Sequence, residues 1–150
     1  MKRDTSMDQH RADTAKLEEA LRAGGLKLTR QRVALLKTIV GSDDHPDALE
    51  LRRRSRLLEP TVSLSTIYRA LAALQEQGVV LRHVFQGMPA RFELADNPHH
   101  DHLIDVDTGE IIEFRSEKIE QLQAEIAAER GIELVWHRLE LYGRKQVTDK

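Results

Sequence analysis

The apolar residues of this chain change period at Gly78. Before it they recur three and four positions apart, as on a helix; after it they alternate, as on a strand. Leu17, Ala20 and Leu21 form the first helical pattern, ended by Gly24-Gly25, and residues 1–13 are polar enough to read as a frayed end. Thr29 can cap a second helix bearing Val33, Leu35, Leu36 and Ile39. After the turn Asp43-Asp44-His45-Pro46, Asp47 can cap a short helix through Leu51, with the basic run Arg52, Arg53, Arg54 and Arg56 near its end. Pro60 breaks the chain. Ser63 or Ser65 then caps a fourth helix carrying Ile67, Ala70, Leu71 and Leu74. Beyond Gly78, Val79 to Phe85 and Arg91 to Leu94 flank a Gly87-Met88-Pro89 turn and read as a β-hairpin. Helices followed by a hairpin outline a winged helix, whose last helix would enter a DNA major groove.

Ala95-Asp96-Asn97-Pro98 is rich in turn residues and marks a boundary. The expected division is 1–94 and 95–150. The second part predicts a strand over 99–106, a turn at Asp107-Thr108-Gly109, and a strand over 110–114. A helix capped by Ser116 follows, with Ile119, Leu122 and Ile126 on one face, and then a last strand over 132–142. The whole is α+β: a winged helix and a small β-β-α-β domain. So small a sheet and helix cannot hide both faces alone, which predicts dimerisation through this domain.

Charge divides along the chain. Residues 1–82 hold 15 basic and 11 acidic residues, net +4; residues 83–150 hold 8 basic and 14 acidic, net −6, with five of the seven histidines. One part is suited to an anion and the other to a cation. There are no cysteines, which rules out disulfides, thiolate zinc sites, iron–sulfur clusters and cysteine nucleophiles. Apolar runs are far short of a membrane span and the N-terminus is polar, so a soluble cytoplasmic protein is expected, without membrane partners.

His99-His100-Asp101-His102 is the segment richest in chemistry. On an extended backbone His99 and Asp101 face one way, and His100 and His102 the other. The tetrapeptide could therefore give two ligands to each of two divalent ions. Imidazole with carboxylate suits Mn, Fe, Co, Ni or Zn. Glu113, Glu120, His137, His45 and Glu93 are further ligands within reach. Each has a plainer reading: Glu113 and Glu120 as solvated charges, His137 as a core histidine, His45 as a turn residue.

Val62-Ser63-Leu64-Ser65-Thr66-Ile67-Tyr68-Arg69-Ala70-Leu71, followed by Gly78-Val79-Val80, resembles the recognition-helix signature of the ferric uptake regulator family. Phe92-Glu93-Leu94, His99 to Ile104, and Gly109 to Phe114 resemble its metal-binding region, with matching spacing through His137 and Leu141-Tyr142-Gly143. The resemblance runs over residues 15–143. It implies a homodimeric, metal-dependent repressor of metal-uptake genes that binds double-stranded operator DNA; pairing of dimers on DNA is left open. It implies a regulatory site of His45, Glu93, His100, His102 and Glu113, and a second site of His99, Asp101, Glu120 and His137. It also implies DNA contacts by Lys27, Thr66, Tyr68 and Arg69. Fe(II) or Mn(II) would be the physiological metal, with Zn(II) able to bind in vitro. The sequence departs from the family in lacking the cysteine-bound zinc: Asp105 and Thr108 stand at the first cysteine pair, and the second pair is absent. Glutamates at 93 and 113, where peroxide sensors favour aspartate, argue against peroxide sensing.

Two other functions compete. His99-x-Asp101 with His137 has the form of the two-His-one-carboxylate triad of non-haem iron enzymes. A metal-storage protein would use the same ligands but leaves the Tyr68-Arg69 helix unexplained. Arg30, Arg32 and the 52–56 run read equally as phosphate contacts or as a solvated basic face.

Overall fold

The structure is a computed structural model that describes residues 5–147. It divides into two compact units, Met1–Asn97 and Pro98–Lys150.

The first unit holds α1 (Thr5–Ala23), α2 (Arg30–Val40), α3 (Ala48–Ser55) and α4 (Leu64–Glu76), then β1 (Val80–His83) and β2 (Arg91–Leu94). Three N-caps are built as the sequence predicts. Thr29 accepts from the Arg32 N–H, Asp47 from Glu50 and Ser63 from Thr66, each satisfying a donor that the first helical turn leaves over. Leu21, Leu35, Leu36, Leu51, Ile67 and Leu74 are fully buried where the four helices meet. Burying each such side chain contributes about 1.5–3 kcal/mol. Gly24 lets the end of α1 approach α4, because a Cβ there would lie 3.1 Å from that of Ala73.

Two expectations are corrected here. The polar stretch read as frayed is helical from Thr5 onward; residues 1–4 lie outside the described residues. Asp8 complements the helix dipole, Gln9 donates to Asp13 four residues on (3.0 Å), and Leu17, Ala20 and Leu21 anchor the other end in the core. The third helix also runs past Leu51 to Ser55, which is buried and bonds to Thr38. β1 and β2 pair antiparallel from Val80↔Leu94 to His83↔Arg91, forming the wing.

In the second unit β3 (Asp101–Asp105) is central, with β4 (Ile111–Phe114) antiparallel on one side and β5 (Glu140–Gly143) parallel on the other. The β3–β4 turn is closed by Asp105. Its Oδ1 accepts from the N–H of Asp107 (2.9 Å) and of Thr108 (3.4 Å), and its carbonyl from Gly109 (2.8 Å), which has φ +76°. The hydrogen bond from Asp107 holds the Asp105 carboxyl below its ordinary range.

The first expected strand starts two residues late, because β4 ends at Phe114, opposite Asp101, and offers His99 and His100 no partner. The last expected strand shortens to 140–143. Residues 132–139 alternate, but β3 is only five residues long and pairs with β5 from His102↔Glu140 onward. Ser116 sits at the N-cap of α5 (Glu117–Ala128) without using its hydroxyl; Glu117 and Glu120 in the first turn complement the dipole instead. No residue of α5 is buried. Leu122 (56 % exposed), Ile126, Val135 and Trp136 (73 % exposed) are uncovered apolar side chains, so within one chain the helix does not bury its apolar stripe. No helix among the described residues is long and apolar enough to cross a membrane.

Candidate metal centres and DNA face

The second unit brings His99, Asp101, Glu120 and His137 together. His99 precedes β3, Asp101 opens it, Glu120 lies in the first turn of α5, and His137 lies ahead of β5. The two Nε2 atoms are 3.1 Å apart, and Oδ1 of Asp101 is 3.2 Å from His137 and 3.6 Å from His99. Oε1 of Glu120 is 3.5 and 3.6 Å from the same two nitrogens. Donors about 2.0–2.1 Å from a tetrahedral ion lie about 3.3–3.4 Å from one another. The observed spacings straddle that value. Asp101 is 1 % exposed, and its Oδ2 and Oε1 of Glu120 are buried without a hydrogen-bond donor among the described residues. A buried carboxylate oxygen without a donor is costly, and a cation at the centre would offset that cost. These residues fit a divalent metal.

The remaining candidate ligands fall into two partial groups. In the first unit His45, at the turn before α3, and Glu93, on β2, are both buried, with Nε2 of His45 3.3 Å from Oε2 of Glu93. In the second unit His100 and His102 stack edge-to-face with ring centroids 4.8 Å apart. Nε2 of His100 is 3.5 Å from Oε1 of Glu113. Nδ1 of His100 lies 2.8 Å from the Pro98 carbonyl, which can only accept. Nδ1 therefore carries the proton, the tautomer of histidine ligands oriented by a backbone carbonyl. His102 is buried and lies opposite Glu113 in the β3–β4 ladder. The alternation expected for the histidine run holds: His99 groups with Asp101, and His100 with His102.

Arg54, which the sequence leaves between a phosphate contact and a solvated charge, and Arg91, which it does not single out, brace the turn that carries His45. Arg54 makes a bidentate pair with Asp44 (2.7 and 2.6 Å), and its Nη1 also reaches the Ser42 hydroxyl (3.2 Å). Arg91 donates to the His45 carbonyl (2.9 Å), and the Phe92 N–H to that of Pro46 (3.0 Å). Arg53 and then Arg54 pull Glu50 down to about pH 2, and Arg54 lowers Asp44. His83, on β1, was also passed over; its Nε2 is 2.6 Å from Oε1 of Glu93.

On α4, Tyr68 and Arg69 are exposed side by side. Thr66 is half-buried, its hydroxyl bonded to Gln31 (3.1 Å), which tethers α4 to α2. Lys27 is exposed in the loop before α2, and its carbonyl accepts from Arg32 (2.7 Å). Most of the basic run works within the fold: Arg53 and Arg54 pair with Glu50, and Arg56 donates to the Val62 carbonyl (2.8 Å).

A family model described as the ferric uptake regulator family matches residues 23–142. A ferric uptake regulation protein of Brucella abortus is 50 % identical over 128 residues, covering 85 % of this chain and 91 % of that protein. Among solved structures, a zinc-bound manganese uptake regulator is 45 % identical, with TM-score 0.73, over 87 % of this chain and 98 % of that one. The ferric uptake regulator from Pseudomonas aeruginosa with manganese is 43 % identical, with TM-score 0.70, over 85 % and 96 %. The helices α2 to α4, the wing and the two groups of histidines and carboxylates thus lie inside a matched region of 120 residues, and this chain belongs to the ferric uptake regulator family of metal-responsive transcriptional regulators.

Proposed function

We propose that this chain is a cytoplasmic homodimeric regulator, mainly a repressor, that binds double-stranded operator DNA when Fe(II) or Mn(II) is bound, and so controls metal-uptake genes. The observation that carries this reading is the sorting of the ligands. One unit contains a set of four, whereas the other five candidates are divided, His45 and Glu93 falling in one unit and His100, His102 and Glu113 in the other. We assign these five residues to one regulatory site. A divalent ion held by all five would supply a link of fixed length between residues 1–94, which bind DNA, and residues 95–150, which dimerise. In a dimer that link fixes the separation of the two α4 helices, and operator half-sites have a fixed spacing. Metal and DNA must then raise each other's affinity by the same factor.

The chemistry favours no single metal. Oxygen and nitrogen ligands without sulfur suit Fe(II) and Mn(II), while Zn(II) binds such sites more tightly, so availability in the cell decides. The apolar surface of α5 and of residues 132–136 supports dimerisation, since a second copy can cover it. The enzyme reading is weakened by Glu120. It supplies a fourth ligand to His99, Asp101 and His137, and a closed four-ligand set is typical of structural sites, whereas a catalytic one keeps an open position.

The test is fluorescence anisotropy on an A·T-rich palindromic duplex at fixed salt, with chelator, then Mn(II), then Fe(II) without oxygen. Tight binding only with metal is the expected result; equal binding in chelator would sink the proposal. On the same duplex, Arg69→Ala should cost about 1–3 kcal/mol and relax base preference, as expected for a bidentate contact to guanine. An equal loss on random DNA would instead mark Arg69 as a phosphate contact.

A further inference from the structure

We propose that His83 is a positioning residue of the regulatory metal site: it turns the Glu93 carboxylate so that Oε2 is presented towards the ion held with His45. This rests on the regulatory site proposed above, but His83 is not one of its ligands. In the β1–β2 ladder Leu81 lies opposite Glu93, and His83 opposite Arg91. His83 and Glu93 are therefore diagonal neighbours on one face of the wing, within reach of long side chains. Nε2 of His83 is 2.6 Å from Oε1 of Glu93, and a carboxylate can only accept, so this nitrogen donates. The two oxygens of Glu93 are thereby divided. Oε1 is taken by His83, and Oε2 lies 3.3 Å from Nε2 of His45.

The imidazole is itself held. It stacks on Phe85, which is fully buried, with ring centroids 5.8 Å apart and planes 21° from parallel. It meets the His45 ring at 62°, with centroids 6.1 Å apart. Its side chain is 14 % exposed, against 5 % for Glu93, so the bond between them is largely shielded from water. A donor fixed in this way sets the carboxylate's rotamer before metal arrives, and less ordering is then left for binding to supply. Loss of such a partner to a metal ligand typically lowers metal affinity about 10–100-fold.

The experiment is a Co(II) titration of the full chain without DNA, followed by visible absorption, on wild type, His83→Phe, His83→Gln and Glu93→Ala. Wild type should take up two equivalents per chain. His83→Phe should weaken one equivalent about 10–100-fold, leave the other unchanged, and reach at saturation the wild-type spectrum. His83→Gln, which keeps an N–H donor, should recover part of the loss. Four results would overturn the proposal. Unchanged affinity in His83→Phe would leave the histidine without a role in binding. Equal weakening of both equivalents would make its effect one on folding. No recovery with Gln would detach the effect from the donated bond. A saturated spectrum altered as in Glu93→Ala would make His83 a ligand. If Glu93→Ala itself keeps both equivalents, the regulatory site is misassigned and the inference falls with it.

Discussion

The group of His99, Asp101, Glu120 and His137 and the five residues proposed for the regulatory site, His45, Glu93, His100, His102 and Glu113, offer the same ligand types on different plans. The first is complete inside one compact unit, with donors 3.1–3.6 Å apart. The second is split, two ligands falling in one unit and three in the other. A complete set can be filled without moving any other part of the protein. A split set gives affinity only when its parts are brought together, so occupancy and the arrangement of the units become one equilibrium. On the proposed assignment, identical ligand types would do structural work in one place and regulatory work in another.

The sharpest way to test the contrast is to remove one ligand from the complete set. A structural zinc site is worth about 10–16 kcal/mol over four ligands, so His137→Ala should cost roughly 3 kcal/mol, on the order of 100-fold, in Zn(II) affinity. A competition titration would read this. The response of DNA binding to Mn(II) should persist; its loss would mean that the complete set is regulatory as well. Next in size is His45→Ala. Coupling energies between sites are about 1–3 kcal/mol, so the metal-dependent gain in DNA affinity should fall by roughly 5–150-fold, with both units still folded without metal. Wild-type anisotropy curves for this variant would remove the distinction.

Arg54→Ala probes the support of the split set. Its bonds to Asp44 and Glu50 are only partly buried, so unfolding by urea should show a loss of about 1 kcal/mol. The freed turn at His45 should weaken one metal equivalent by less than tenfold, on the order of 1 kcal/mol, and leave the other alone. Weakening of both would show that the two sets are not independent. The smallest effect is on acid stability. Glu50 is lowered from 4.5 to about 2 by Arg53 and Arg54, so its contribution is present above pH 4.5 and is lost as pH falls towards 2. Glu50→Gln should flatten that limb of the urea midpoint against pH. An unchanged limb would assign it to other carboxylates.

Features set by near neighbours in the chain were legible in the sequence. Thr29, Asp47 and Ser63 cap because a side-chain oxygen three residues ahead of an N–H needs no tertiary context. The division of the histidine run follows from the two-residue period, and it survives although His99 and His100 lie outside the strand. Features that depend on long-range geometry were not legible. His83 meets Glu93 only through the register of the wing, which the intervening turn decides. Arg54 read as surface charge because its partner Asp44 lies ten residues back, across a turn. Residues 132–139 alternate like a strand, yet a strand needs an edge to pair with, and no local pattern reveals whether one is free.

The Asp105 turn bears on oxidative stress. At Asp105 and Thr108 the hairpin is closed by a carboxylate and backbone N–H groups. Peroxide, disulfide-forming reagents and thiol-seeking electrophiles find no sulfur there to modify, and the chain has no cysteine elsewhere. The register of β3, which places the adjacent Asp101 and His102 on opposite faces of the strand that serves both candidate ligand sets, is thus fixed by bonds that an oxidant does not attack.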